Sequence, residues 1–199
     1  MTKIRKNRGM TASQVVGIMT IPILISLLCF TGCTRKLETR YDSGKLKEKY
    51  GVSRNAEGKY IKHGEYVCWH ESGKKKQEGM FKNGKKDGKH ICWHENGQKE
   101  SEGEFKDGKK NGKHIKWLEN GQKAWEGEFT NNENSGKWVY WHKNGEKYFE
   151  GEYEKGRETG KWIYWYRNGQ KQSEGEFKEG ARIGKWLYWD ENGELKPAS

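Results

Sequence analysis

Side chains that could bind a metal cluster early in the chain. His90, Cys92 and His94 alternate along one stretch, and Cys68 and His70 stand 24 residues before the second and third of them. Alternating residues of a strand share a face, so this group could suggest zinc. No Cys-x-x-Cys or paired-histidine spacing is present, and ligands so spread do not close a tetrahedron. Strands two apart lie about 9–10 Å from each other, beyond disulfide reach. We therefore expect two free thiols, no metal site and no cofactor.

Recurring carboxylates are the next candidates for chemistry. A glutamate precedes a glycine at the same point of successive 24-residue units, at Glu78, Glu102, Glu126, Glu150 and Glu174. A catalytic acid is ordinarily a singular departure from a pattern, whereas these residues are the pattern. No phosphate-binding loop, nucleophile elbow or kinase motif accompanies them. The sequence therefore predicts that the protein is not an enzyme.

A lysine follows the first glycine of most units, close to these acids in the predicted hairpins. One interpretation is exposed cross-strand ion pairs worth about 0–1 kcal/mol each, and the alternative is a basic row facing anionic lipid. The formal charge of +11 favours anionic surfaces. Acids and bases are interleaved without a long basic tract, so nucleic acid is not the expected partner. These lysines are Lys89, Lys113, Lys137, Lys161 and Lys185.

Tryptophans recurring at 24-residue intervals form the candidate binding face. They are Trp69, Trp93, Trp117, Trp141, Trp165 and Trp189. The structural interpretation is packing against neighbouring Ile and Val side chains along a sheet. The functional interpretation is recognition of a peptide, a glycan or lipid headgroups, because aromatic rings serve as platforms for sugars and cations. Choline- and glucan-binding wall repeats are also short aromatic hairpins, although their usual period is shorter.

Each 24-residue unit reads as a β-hairpin. In the segment GKWIYWYRNGQKQSEGEF, residues 160–177, a run of β-branched and aromatic residues is followed by Asn-Gly and a return strand. Asn-Gly predicts a two-residue type I′ turn, which places Trp162 opposite Gly175 and predicts that the ring covers this glycine. Ile163 and Trp165 then point to the other face. The turn glycines are Gly73, Gly97, Gly121, Gly145, Gly169 and Gly193.

The repeats predict an all-β protein. A single hairpin is marginal in water, whereas hairpins in line stabilise their neighbours. We expect a single-layer twisted antiparallel meander of about six tandem 24-residue β-hairpin repeats over residues 60–199, without room for a deep catalytic cavity. Residues 33–59 are predicted to form a linker and a degenerate cap repeat, in which Tyr41–Lys45 is one more turn, offset by an insertion of five residues. The open sheet would have two edges at which pairing is possible.

The N-terminus is predicted to be a lipoprotein signal peptide, residues 1–32. A basic and polar start precedes an apolar run of about 16 residues, short of the roughly 20 that a spanning helix needs. Phe30-Thr31-Gly32-Cys33 resembles a bacterial lipobox, with Phe30 where Leu is usual. The resemblance implies cleavage before Cys33, lipidation of its thiol, and membrane anchoring in the cell envelope, at the outer membrane or cell surface. An uncleaved anchor helix is the alternative.

The repeated pattern G-K-W-x-x-W-x-x-N-G-x-K-x-x-E-G-x-F, over residues 60–195, resembles the bacterial variant of the MORN (membrane occupation and recognition nexus) repeat. Such proteins are often catalogued as toxin–antitoxin system antitoxins. The resemblance implies a non-catalytic array used for protein or membrane contacts. We expect a lipid-anchored protein that binds an unidentified protein partner or an envelope surface, such as a glycan or anionic lipid. The alternative is an antitoxin or immunity protein that neutralises a toxin by direct binding, although the lipobox conflicts with a cytoplasmic toxin.

Overall fold

A computed structural model describes residues 35–197, and this part of the chain consists of β-strands and turns. Cys33 and the predicted signal peptide lie outside the described residues. Nowhere between residues 35 and 197 is there an apolar helix long enough to cross a bilayer. The strands are β1 (Arg35–Arg40), β2 (Leu46–Arg54), β3 (Tyr60–Trp69), β4 (Lys75–Lys82), β5 (Lys85–Lys86), β6 (Gly88–Trp93), β7 (Lys99–Lys106), β8 (Lys109–Trp117), β9 (Lys123–Thr130), β10 (Glu133–Trp141), β11 (Lys147–Glu154), β12 (Arg157–Trp165), β13 (Lys171–Lys178) and β14 (Ala181–Tyr188).

All fourteen strands form one antiparallel sheet whose spatial order follows the chain. The short strand β5 pairs with β4 and is separated by Asp87 from β6, which continues the same pairing. The predicted all-β hairpin meander is therefore confirmed. Because every strand pairs with its sequence neighbours, each contact in the sheet is local to one repeat or to the next.

The Asn-Gly turns differ from the prediction. Gly169 has φ +82°, but Asn168 does not adopt a positive φ, so the predicted two-residue type I′ turn is wrong. Instead the Gly169 N–H donates to the Tyr166 carbonyl at 3.0 Å, and the Tyr166 N–H donates to the Gln170 carbonyl at 2.8 Å. These bonds close a three-residue loop that ends in a left-handed glycine. The remaining turn glycines, Gly73, Gly97, Gly121, Gly145 and Gly193, also have positive φ.

A bulge restores the predicted register beyond this turn. Trp165 pairs with Lys171, whereas Tyr164 pairs with Ser173, so Gln172 is an extra residue in the return strand. Trp162 consequently pairs with Gly175, as predicted. The longer loop and the bulge compensate each other, because the loop takes one residue, Arg167, from the first strand and the bulge adds one residue, Gln172, to the return strand.

Type I′ turns lie at the opposite end of the hairpins, where one repeat passes to the next. Each has two residues, both with positive φ, as this turn type requires. This geometry explains why Asn, Asp and Gly are frequent here, since they tolerate the left-handed region best. The five turns are Asn83-Gly84, Asp107-Gly108, Asn131-Asn132, Lys155-Gly156 and Glu179-Gly180.

The first glycine of each repeat creates a second bulge, which places the buried rings. Glu150 pairs with Ile163 and Glu152 with Thr159, so three residues of β12 oppose Gly151 alone. Gly160, at φ +64°, allows this bend. As a result a β-carbon on Gly151 would overlap the indole of Trp162.

The predicted cover of Gly175 by Trp162 is therefore wrong. Trp162 is the register partner of Gly175, but its ring lies over the glycine of the preceding hairpin. Gly175 is covered by Trp186, from the following hairpin. The wide bulge before each of these tryptophans turns the ring toward the preceding strand. Each ring consequently joins two hairpins instead of stabilising only its own.

Aromatic rings form a continuous core on this face, which we call the ring spine. Neighbouring rings pack edge to face with centroids 5.0–5.8 Å apart. This is a favourable geometry for aromatic pairs. Trp138 and Trp162 are the most buried members, with 2% of their surface exposed. In chain order the ring spine is Tyr66, Phe81, His90, Phe105, His114, Phe129, Trp138, Tyr153, Trp162, Phe177 and Trp186.

Two histidines replace tryptophan in the middle of the ring spine. His90 and His114 are 3% and 5% exposed. Their Nε2 atoms lie 2.7 Å from the carbonyl oxygens of Met80 and Glu104, so each neutral ring donates one hydrogen bond. Burial lowers the pKa of both histidines. The folded protein therefore favours neutral rings at these positions.

The cap repeat uses the same turn as the later hairpins. Between β1 and β2, the Tyr41 N–H donates to the Lys45 carbonyl at 2.9 Å, and Gly44 has φ +78°. The segment between β2 and β3 forms another turn of this kind, in which the Gly58 N–H donates to the Asn55 carbonyl at 2.9 Å. This connection has five residues where a type I′ turn has two, and β2 and β3 add the further pair Arg54 and Tyr60, which together account for the five residues that break the 24-residue phase.

Substitution of Gly151 by Ala tests the contact between ring and glycine. The new methyl group overlaps the Trp162 indole, so we expect a loss of about 1–3 kcal/mol in the free energy of unfolding. Trp162→Ala is expected to lose about 3–5 kcal/mol. In the double variant Gly151→Ala/Trp162→Ala the new methyl group no longer meets a ring. The free energy of unfolding, measured with urea, should therefore fall by less than the sum of the two single losses. Additive losses would contradict the contact, and Glu152→Ala, at the next, exposed position of β11, is the control.

Because His90 and His114 are buried, we expect the free energy of unfolding to fall in mild acid. Their folded-state pKa lies below the unfolded value of about 6.5, so the unfolded chain binds protons more readily as the pH falls. Stability should be fully present above this pH and decline below it, by at most about 1.4 kcal/mol per histidine per pH unit. The double variant His90→Trp/His114→Trp has tryptophan at both positions, as the later repeats do. Its free energy of unfolding, measured with urea, should change less between pH 7.5 and 5.5 than that of the unaltered chain. An equal change with pH in both proteins would contradict this explanation.

Candidate functional site

The six predicted tryptophans occupy equivalent places along the array. Trp69, Trp93, Trp117, Trp141 and Trp165 each end the first strand of a hairpin, and Trp189 directly follows β14. All six are half-buried, in contrast to Trp138 and Trp162 of the ring spine. Trp138 and Trp162 are therefore fully packed, whereas the six candidates leave part of each indole accessible, as does Trp186 at the end of the ring spine.

A lysine from the preceding repeat lies over the next tryptophan of the set. The lysine Nζ stands 4.8–5.5 Å from the ring centroid, within the range of a cation–π contact. We call the surface formed by these residues the Trp–Lys face. Its pairs are Lys75 with Trp93, Lys99 with Trp117, Lys123 with Trp141, Lys147 with Trp165, and Lys171 with Trp189.

The recurring glutamates bridge two lysines on this face. Glu150 lies 2.8 Å from Lys147 of its own strand and 3.6 Å from Lys137 of the paired strand. The same arrangement recurs at Glu102, Glu126 and Glu174, so four of the predicted cross-strand pairs are confirmed. Lys185 has no such pair among the described residues.

The lysines keep these carboxylates charged. Hydrogen bonds from Lys99 and Lys171 lower the pKa of Glu102 and Glu174. A general acid at neutral pH needs a raised pKa, so these groups are poised for ion pairing and not for proton donation. Because each glutamate bridges two lysines, the face carries one surplus positive charge in each of these repeats.

An open depression lies between two repeats of the Trp–Lys face. Its volume is about 340 Å³, with Val139 and Trp141 supplying its apolar part. Lys113, Lys137 and Glu150 are among the charged residues that line it. The arrangement offers an apolar contact surrounded by both charge types, which suits a side chain from another molecule.

The cysteines and histidines considered for zinc do not converge. Cys68 is buried, Cys92 is half-buried, and both are free. Burial raises the pKa of the Cys92 thiol, which disfavours the reactive thiolate. His90 belongs to the ring spine, and no group of three or more metal-binding side chains occurs within residues 35–197.

The histidine or tyrosine that follows four of the candidate tryptophans has a role that the sequence interpretation missed. His70 Nε2 lies 2.9 Å from the Trp93 carbonyl oxygen, and His142 Nε2 lies 3.0 Å from that of Trp165. The Tyr166 hydroxyl donates to the Trp189 carbonyl at 2.9 Å. These side chains connect Trp93, Trp165 and Trp189 to the repeat before them, and His94 does the same for Trp117 at 3.1 Å. Trp141 lacks this contact among the described residues, because Leu118 follows Trp117. The recurrence of His or Tyr directly after Trp is the pattern that could have indicated this contact.

Comparison with known proteins identifies the repeat type in part of the array. Residues 62–83, 86–107 and 158–179 match the family model described as MORN repeat variant. These three segments are similar to MORN-variant repeats. They coincide with three of the hairpins described above, whose strand pairs present the Trp–Lys face on one side and the ring spine on the other. No curated protein matches the chain.

One similar solved structure is a protein with unknown function from Bacteroides fragilis. It is 10% identical, and the match covers 82% of this chain and 90% of that chain at a TM-score of 0.16. A TM-score this low does not establish a shared fold.

Paired substitutions distinguish the two sets of tryptophans. Trp165→Ala removes a half-buried ring, and we expect a loss of about 1–2 kcal/mol in the free energy of unfolding. Trp162→Ala should lose about 3–5 kcal/mol, because this ring is fully packed. Urea unfolding of both variants at one pH measures the difference. Equal losses would show that Trp165 is part of the core and would remove it from the candidate face.

Proposed function

We propose that this protein is a non-enzymatic, lipid-anchored repeat protein that binds a protein partner through its Trp–Lys face. The partner lies outside the cytoplasmic membrane. The observation that carries the proposal is the repetition of one partly exposed unit of a tryptophan, two lysines and a glutamate, which at Trp141 borders an open depression. A core alone does not require this arrangement, since the ring spine already stabilises the sheet from the other face.

The chemistry of the Trp–Lys face suits a protein interface. Partly exposed indoles supply large apolar contact areas with little entropy to lose, and tryptophan is enriched among residues that dominate binding energy. The lysines are held over rings and against carboxylates, so binding orders few additional side chains. Repetition along the sheet extends the contact area by one similar unit for every hairpin.

The residue proposed to carry the lipid anchor is Cys33, which lies two residues before β1 begins at Arg35. If this cysteine carries the diacylglycerol, the array starts directly at the bilayer surface, held by acyl chains at about 0.8 kcal/mol per buried methylene. Such an attachment places the Trp–Lys face within reach of envelope proteins. An immunity-type protein that neutralises a toxin by direct binding would then act in the envelope.

Metabolic labelling tests the anchor. The full chain should take up labelled palmitate and sediment with membranes, whereas Cys33→Ser should do neither. A soluble, unlabelled wild-type chain that retains Met1 would contradict the envelope location. A cytoplasmic antitoxin function would then be favoured, and would be tested by co-purification with the product of a neighbouring gene.

Photo-crosslinking in living cells tests the face. A benzophenone amino acid at Lys137, exposed on the Trp–Lys face, should yield a discrete protein adduct. The same substitution at Lys116, exposed on the ring-spine face and paired with Trp125, is the matched control and should yield none. Adducts at Lys116 alone would place the interface on the opposite face. Adducts at neither position, with retention on envelope glycan or vesicles, would favour the glycan or lipid alternative.

A further inference from the structure

The type I′ turn edge of the sheet changes character along the array. Lys82 pairs directly with Lys85, and Lys106 pairs directly with Lys109, so lysine faces lysine at the first two turns. At the next two turns Thr130 pairs with Glu133, and Glu154 with Arg157. A further lysine follows each pair directly in the chain. We call the resulting set of six lysines the lysine edge: Lys82, Lys85, Lys86, Lys106, Lys109 and Lys110.

These lysines lack the acidic partners that others in the chain have. Like charges placed directly opposite in a sheet are destabilising. Among residues 35–197, none of the six forms an ion pair within 4.0 Å of a carboxylate. The nearby acids are Asp87 and Asp107, and Asp87 Oδ2 accepts a hydrogen bond from the Asp107 N–H at 3.4 Å. The lysine edge therefore has a strong surplus of positive charge.

Two of the lysines are held in place by the ring spine. Lys86 lies 4.9 Å from the Phe105 centroid, and Lys110 lies 4.5 Å from that of Phe129. Both are half-buried. Burial, together with the nearby Lys116 and Lys86, lowers the pKa of Lys110. A carboxylate on the ring-spine side of this edge would therefore meet positioned, partly desolvated ammonium groups, whereas on the other side it would meet the exposed pairs Lys82–Lys85 and Lys106–Lys109.

The fold does not require this charge arrangement. The turn at Lys155-Gly156 has the same positive φ angles, yet it is flanked by the oppositely charged pair Glu154 and Arg157. The turn at Asn131-Asn132 is flanked by Thr130 and Glu133. Turn chemistry therefore permits stabilising neighbours and does not by itself explain the paired lysines at the first two turns.

We propose that the lysine edge binds an acidic, extended segment of a partner protein. Equivalent turns are two strands apart, about 9.6 Å at the usual strand spacing. An extended chain covers about the same distance in three residues, at roughly 3.3 Å per residue. A segment with a carboxylate at every third residue would therefore meet one lysine pair at each turn.

The limited extent of the lysine edge favours a protein segment over a membrane surface. A flat anionic bilayer laid against the type I′ turns would also contact the later turns, where Glu133, Glu154 and Glu179 offset Lys155, Arg157 and Lys178 and leave little net attraction. A short peptide occupies two turns and avoids these acids. The lysine edge lies at the opposite end of the hairpins from the tryptophans of the Trp–Lys face, and the inference does not depend on acylation of Cys33, so it stands even if the proposed function fails.

Peptide titration of the full chain tests the inference. The probe is a fluorescent synthetic peptide with the repeated sequence Gly-Ser-Glu, and its control has the same composition with the glutamates adjacent. We expect salt-sensitive binding of the spaced peptide, at least about threefold tighter than the control. The variant Lys82→Glu/Lys106→Glu should weaken binding about tenfold or more, because it reverses a charge at both turns.

The same variant distinguishes binding from a structural effect. It places glutamates opposite Lys85 and Lys109, as Glu154 stands opposite Arg157, so its melting temperature should rise while its peptide affinity falls. The matched control Lys155→Glu/Lys178→Glu also replaces two lysines by glutamates, but at later turns. Its affinity for the spaced peptide should stay within about twofold of that of the unaltered chain. Trp141→Ala, on the Trp–Lys face, should also leave affinity unchanged.

Several results would overturn the inference. One is equal affinity of Lys82→Glu/Lys106→Glu and the unaltered chain for the spaced peptide. Another is equal affinity for the spaced and adjacent peptides, which would indicate charge attraction without recognition. A third is that the unaltered chain binds phosphatidylglycerol vesicles but not the peptide, and that Lys82→Glu/Lys106→Glu no longer binds the vesicles. This result would indicate that the lysine edge contacts a lipid surface.

Discussion

The contact between a ring and a strand glycine is the constraint on which this structure depends. A single sheet has no second layer to bury its apolar face, so it must obtain a core from side chains that lie flat against its own backbone. Gly151 provides that space, because a β-carbon there would overlap the Trp162 indole. The ring of one hairpin thereby covers the strand of the hairpin before it. Stability consequently belongs to neighbouring pairs of hairpins, as expected of a repeat array.

Placing the core on one face leaves the other face available for charge and partial exposure. The ring spine contains the fully packed rings, whereas the Trp–Lys face alternates half-buried indoles with bridged lysines and glutamates. Ion pairs exposed in this way contribute little stability, about 0–1 kcal/mol each. Their regular placement therefore makes a uniform surface without adding much to the free energy of folding. This division lets binding properties change along the array while the hairpins stay the same.

Departures from the repeat mark the places where the array is not uniform. His90 and His114 replace the tryptophans of later repeats while donating to the same kind of backbone carbonyl, as Trp138 Nε1 does to the Glu128 carbonyl at 3.1 Å. The first half of the ring spine is therefore sensitive to protonation. The lysine edge lies in the same half, which gives the N-terminal repeats a different charge from the C-terminal repeats.

The amino-acid sequence by itself determined the repeat, the strands and the pairing within each hairpin. The 24-residue period placed Trp162 opposite Gly175 and Lys161 near Glu174, because alternation and adjacency are local properties of a strand pair. Only the tertiary structure decided which glycine each ring covers, since that depends on the bulge at Gly160 and on the preceding hairpin. It also decided the turn types. Asn-Gly is compatible with both a two-residue and a three-residue loop, and the compensating bulge at Gln172 leaves the register the same in either case.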